Sequence, residues 1–105
     1  MRVVVKPAVY EAAHRFYVFA MVAHPTLDER VVLKKEQRMF EALQSLGSTY
    51  FIYPLARYIP EWKEAGYHDF ICEDFHFAFR IAISKQTGEQ IVSIEDARHN
   101  LLFHD

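Results

Sequence analysis

Glycine and proline are scarce in this chain, three and four residues in 105, and cysteine occurs once, at position 72. A lone cysteine excludes an internal disulfide and any CxxC-type metal site, and it fits a reducing, cytoplasmic setting. Long apolar runs are missing too. The longest, "FYVFAMVA" from Phe16 to Ala23, falls well short of the roughly 20 residues of a membrane-spanning helix. No signal-peptide pattern precedes it, so a soluble protein is expected. Neither sign of charge dominates: twelve Lys plus Arg stand against fourteen Asp plus Glu, a formal charge of −2. Phosphate binding would therefore need a local basic patch. His14, His24, His68 and His104 show neither an HExxH pattern nor tight carboxylate spacing, so no metal and no cofactor is implied.

What is present is apolar and aromatic, 51% and 15% of the residues, enough for a real core and for one domain over residues 1–105. "RVVVK" at 2–6 reads as a short strand, and Pro7 suits the first position of a helix. The helix predicted from Ala8 to His24 has an apolar stripe at Ala12, Phe16, Phe19 and Ala23, widened by Val9, Ala13 and Ala20. Thr26 is the expected N-cap of a second helix, with Asp28 and Glu29 in its first turn. That helix runs to about Leu46, with Gly47 placed to stop it. Its stripe is Val32, Leu33, Met39, Phe40, Leu43 and Leu46. Arg30, Lys34 and Arg38 form a basic ridge on its wet side beside Lys35, best read as a solvated face.

The segment "STYFIYPLARYIPEWKEAG" is irregular, with a short strand expected near 50–53. "HDFIC" is a strand. In "FHFAFRIAIS", Phe75, Phe77, Phe79, Ile81 and Ile83 point one way, while His76, Ala78, Arg80, Ala82 and Ser84 point the other. "KQTG" turns the chain into "EQIVSIE". With Ser84 opposite Glu89, facing positions sum to 173, so Phe79 meets Ile94, Ile81 meets Val92 and Arg80 meets Ser93. Ala78 would face Glu95, making Glu95 and Arg80 diagonal neighbours fit for an ion pair. The expected fold is α+β: a short N-terminal strand and a two-helix hairpin packed on one face of a twisted, mainly antiparallel sheet of about four strands. The other face, lined by alanines around Arg80, is left open.

The polar stretch "SIEDARHN" at 93–100 ends the last strand. Glu95 and Asp96 are adjacent, so they converge only if the strand ends or bulges there. His99, beside Arg98, is the best proton exchanger by position, and His76 shares the open face with Arg80. Cys72 reads as a buried structural thiol. Tyr50, Phe51, Tyr53, Tyr58, Trp62 and Tyr67 exceed what one small sheet can bury, and surplus surface aromatics mark interfaces.

Three phrases then resemble one family. "YPLARYIPEW", "YHDFICEDFHFAFRIAI" and "IVSIEDARHNLLF", in that order over about residues 54–103, are similar to motifs of the RelE/ParE superfamily of type II toxin–antitoxin toxins. By that resemblance Arg57 matches the arginine of a glycine–arginine pair, Arg80 the strand arginine and Arg98 the tail arginine. Ala56 stands in place of the glycine, Asp96 where histidine is frequent, and the loop from Leu46 to Pro54 is longer. The resemblance implies a growth-inhibiting toxin, closer to the ParE branch, that binds DNA gyrase and is neutralised by a cognate antitoxin. Target or partner contacts would fall on Arg57, Tyr58, Trp62, His76, Arg80, Glu95 and Arg98. The alternative is a RelE-like ribosome-dependent mRNA endonuclease with Arg57, Arg80, Arg98 and His99 as its catalytic set. A non-toxic relative serving only as an interaction domain is the third reading. The aromatic surface fits an antitoxin or, equally, a second copy of the chain.

Overall fold

Three valines of β1 (Arg2–Val5) pair in parallel with β4 (Gln90–His99), Val3 opposite Val92 and Val5 opposite Ile94. The computed structural model describes residues 1–99. The "NLLF" part of the tail motif and His104 lie outside them. Pro7 opens α1 (Pro7–Ala23), α2 spans Glu29–Thr49, and a 3-10 turn follows at Tyr50–Ile52. Then come a short α3 (Pro60–Ala65), β2 (His68–Cys72) and β3 (Phe75–Ile83). The four-stranded sheet has the order β1-β4-β3-β2 with only the β1–β4 pair parallel. The α+β architecture and the mainly antiparallel sheet are those expected. No helix among the described residues is long and apolar enough to cross a membrane.

The core lies between α1, α2 and one sheet face. Val9, Ala13 and Tyr17 from α1 and Val32, Met39, Leu43 and Leu46 from α2 meet Phe70, Phe75, Phe77, Phe79, Val92 and Ile94. This corrects the α1 stripe. Phe16 and Ala20 are half-buried, whereas Ala12 and Ala23 are exposed and Phe19 is 70% exposed. The i, i+4 line through Ala13 faces the sheet instead, and its small side chain lets the helix approach closely. Tyr17 joins the line because its hydroxyl has partners, donating to Asp74 Oδ2 at 3.2 Å. Leu33, placed in the α2 stripe, is exposed as well.

Further corrections concern helix ends. Asp28, not Thr26, caps α2, its carboxylate accepting from the Arg30 N–H at 2.9 Å. The chain between the helices is still turning at Thr26, since the Leu27 N–H reaches back to the His24 carbonyl. Gly47 does not stop α2 but sits buried inside it. The Met1 carbonyl oxygen lies 2.2 Å from where a Cβ would be, and the Met1 amine donates to the Gly47 carbonyl. The glycine is there for close approach of another backbone. The strand expected near 50–53 is the 3-10 turn, a tightening of the chain as α2 ends. Helix α3 was not foreseen, although Pro60 at its start and the left-handed Gly66 at its end are ordinary helix punctuation.

The hairpin register holds from Ile83–Gln90 to Phe79–Ile94, then slips by one residue. Beyond the bulge Ala78 faces Asp96, not Glu95, and Phe77 faces Ala97, His76 faces Arg98 and Phe75 faces His99. A β-bulge inserts one extra residue and re-aims the side chains after it.

Candidate functional site

The bulge decides what the open face carries. With Ile94 and Ala97 both toward the helices, Glu95 and Asp96 both reach groups on the other face. The bulge condition for convergence is thus met, yet the two carboxylates share no partner among the described residues. Glu95 takes Arg80 Nε at 2.5 Å on Oε1, the Ser93 hydroxyl at 3.3 Å, and Lys6 on Oε2 as an ion pair rather than an aligned hydrogen bond. Its side chain is only 2% exposed. Burial pushes this carboxyl up, but close contact with the charged Lys6 and Arg80 outweighs it and holds it below the ordinary value. The expected Arg80–Glu95 pair therefore forms, with Lys6 as a third member.

Asp96 accepts from Trp62 Nε1 at 2.9 Å and Arg98 Nε at 3.2 Å, and its own strand's Ala97 N–H caps Oδ1 at 2.8 Å. Trp62 is 2% exposed and packs with Ala56 and Ala78 against Ile59 and Tyr67. This corrects two expectations. Trp62 is not a surface anchor for a partner. The alanine-lined face is not fully open either, because the 54–67 segment lies over Ala78. Among the other aromatics Tyr50, Tyr53 and Tyr67 are half-buried, leaving Phe51 and Tyr58 well exposed.

His76 is buried, its Nδ1 3.0 Å from Asp69 Oδ1 and 3.2 Å from Oδ2. The carboxylate fixes Nδ1 as the protonated nitrogen. Asp69 escaped the sequence reading, although the β2–β3 register reveals it: Ile71 opposes His76, so Asp69 is its same-face diagonal neighbour. Across the sheet His76 lies directly opposite Arg98. Two hollows adjoin here. One, of about 280 Å³, is lined by Leu55, Arg57, Tyr58, Asp69, Ile71 and His76 among others. The second, of about 570 Å³, is lined by Leu55, Ala56, Arg57, Lys63 and Gly66. Arg57 and Lys63 are exposed and make no ion pair among the described residues.

His99 is on the other side. Its ring centroid is 4.3 Å from that of Phe16 and 5.6 Å from that of Phe75, on the helix-facing side of β4. The expected catalytic set is therefore split: Arg80 and Arg98 on one face, His99 on the other, and Arg57 in the overlying segment. Cys72 is half-buried against the core, and burial followed by the Glu73 charge raises its pKa, as a structural thiol requires. No group of three or more His, Cys, Asp or Glu among the described residues is arranged to hold a metal. Compared with protein-family models, curated proteins and solved structures, the chain matches none.

Proposed function

We infer that this protein is the toxin of a type II toxin–antitoxin pair, ParE-like, arresting growth by binding DNA gyrase and countered by a cognate antitoxin. The motif resemblance over residues 54–103 supports this reading, as does an architecture matching the one that resemblance implies. One observation favours binding over cleavage. The two sheet arginines that a nuclease would turn on a phosphorane-like charge are already held, Arg80 by Glu95 and Arg98 by Asp96. Electrostatic catalysis needs donors aimed at the reacting group, and here each guanidinium charge is already offset by a carboxylate through Nε. Charges already paired within the chain are compatible with the polar rim of a protein–protein surface. Arg57, which makes no ion pair among the described residues, and the 75% exposed Tyr58 supply a cation and an aromatic ring at its rim.

The endonuclease reading keeps one observation of its own. Asp69 orients the His76 ring, a residue type able to serve as a general base, and Arg57 lines the same hollow.

Tightly controlled induction of the chain in a bacterial host, with and without the Arg57→Ala/Tyr58→Ala double variant, tests the proposal. Arrest with a DNA-damage response, and loss of gyrase supercoiling with the purified protein, are expected. Transcript cleavage at ribosomal positions without a DNA-damage response would replace this reading with the nuclease. Undiminished growth, together with full supercoiling by gyrase in the presence of the purified protein, would overturn it.

A further inference from the structure

The two hollows flanking Arg57 differ in chemistry and share a wall. The larger has two cations, Arg57 and Lys63, and no acidic residue among the described residues of its lining. On this face Lys6 and Arg80 pair with Glu95 and Arg98 with Asp96, whereas Arg57 and Lys63 make no ion pair among the described residues. The hollow suits a phosphate group, which an arginine fork and a lysine point charge hold together. The smaller hollow is of another kind. Leu55 and Ile71 give apolar walls, the exposed Tyr58 ring stands at its edge, and the Asp69–His76 pair is the buried polar group beneath. A few converging polar groups in apolar walls are the ordinary makings of a small-molecule pocket. Tyrosine rings stack on nucleobases of any identity, and a carboxylate accepts from sugar hydroxyls.

We propose that these hollows form one site for a nucleoside phosphate, with the phosphate between Arg57 and Lys63 and the nucleoside over Tyr58 and Asp69–His76. Either half alone explains less. An inorganic anion leaves the apolar walls of the smaller hollow unfilled, and an uncharged nucleoside leaves Arg57 and Lys63 without a counter-charge. Arg57, the residue common to both hollows, sits where phosphate meets sugar. The Asp69 carboxylate lines only the smaller hollow, away from Lys63, where it can accept from a sugar hydroxyl. The nucleotide can come from the free pool or from a strand of nucleic acid. The chemistry of the site is the same for both.

The test is a titration of the purified chain with AMP, followed by amide chemical shifts and calorimetry. Adenosine, inorganic phosphate and a short single-stranded oligonucleotide form the parallel arms. Saturable AMP binding is expected, with shifts centred on residues 55–58, 63–66, 69 and 76, and weaker responses to adenosine or phosphate alone. Arg57→Ala and Lys63→Ala remove exposed side chains that make no ion pair among the described residues, so the fold is kept. Each should weaken AMP about tenfold or more, while Arg30→Ala on α2 should leave it unchanged. Oligonucleotide binding tighter than AMP and lost in the same variants would identify a strand as the source and support the site. No saturable response to AMP, or AMP binding undiminished in the Arg57→Ala/Lys63→Ala double variant, would overturn the proposal. None of these readouts involves growth or gyrase, so the site stands or falls separately from the toxin reading.

Discussion

Trp62 and Asp96 are joined by one hydrogen bond across the sheet face, indole Nε1 donating to Oδ2 at 2.9 Å. That bond ties α3 and the irregular segment before it to the last strand. The indole itself fills the gap over Ala78, where a larger residue would have kept the segment away. Position 96 thus holds an acceptor for structural work.

Trp62→Ala empties a buried site and should cost about 3–5 kcal/mol of unfolding free energy. Asp96→Ala leaves the indole N–H and the Arg98 guanidinium short of an acceptor and should cost about 1–3 kcal/mol. Urea unfolding of the single and double variants gives a coupling energy. Simple additivity of the two costs would show that the bond does not hold α3 to β4.

Glu73 begins the two-residue turn between β2 and β3 with φ 53°, the left-handed region that a side chain makes costly by about 1–2 kcal/mol. Its compensation is a 3.4 Å pair with Arg38, whose side chain is largely exposed, and such pairs contribute about 0–1 kcal/mol. Glu73→Gly should therefore stabilise the protein by up to about 1 kcal/mol, read as a higher urea midpoint. A lower midpoint would mean that the Arg38 pair outweighs the backbone strain.

The hairpin was legible because strict alternation leaves one register that buries both apolar sets. The bulge had a signal as well: Ile94 and Ala97, both on the core side, are three residues apart, a spacing no regular strand allows. The α1 face was not legible. Residues 16–23 are apolar all round, so periodicity carries no direction there, and the partner surface chose Tyr17 over Phe19. Gly47 was ambiguous for a different reason. Glycine serves helix ends and close backbone approaches alike, and only the fold brings Met1 against it. Asp69 was within reach, since pairing β2 with β3 by the rule used for the last hairpin puts it beside His76. Lys6 was not. It meets Glu95 only because β1 docks next to β4, a long-range pairing that local pattern does not encode.

Gly47→Ala places a methyl group 2.2 Å from the Met1 carbonyl oxygen, a backbone atom. The start of β1 must move away, and the hydrogen bond from the Met1 amine to the Gly47 carbonyl goes with it. The gain in helix propensity is smaller, about 1 kcal/mol. A net loss of about 1–3 kcal/mol is expected, with exchange protection falling first at Val3 and Val4. Ser48→Ala, one exposed position on, should change stability by less than about 0.5 kcal/mol. If Gly47→Ala were stabilising, the close approach of Met1 would carry no energetic weight.

Glu95 gives the protein a pH dependence whose sign is fixed by its partners. Its folded pKa lies below the ordinary 4.5 because Lys6 and Arg80 overcome the burial that acts the other way. A depressed carboxyl contributes stability that is fully present above the unfolded value and lost as pH falls through the folded one. Glu95→Gln should thus destabilise by about 1–3 kcal/mol at neutral pH, where two cations lose their common anion. The gap between variant and wild type should close progressively below pH 4.5 as Glu95 itself takes up a proton. Salt should narrow it at neutral pH too, since Lys6 and Arg80 are each about half exposed and reachable by counter-ions. Urea unfolding of both proteins from pH 7 down to pH 3 measures the gap directly. A difference that stays constant across that range would assign the role of Glu95 to packing rather than charge.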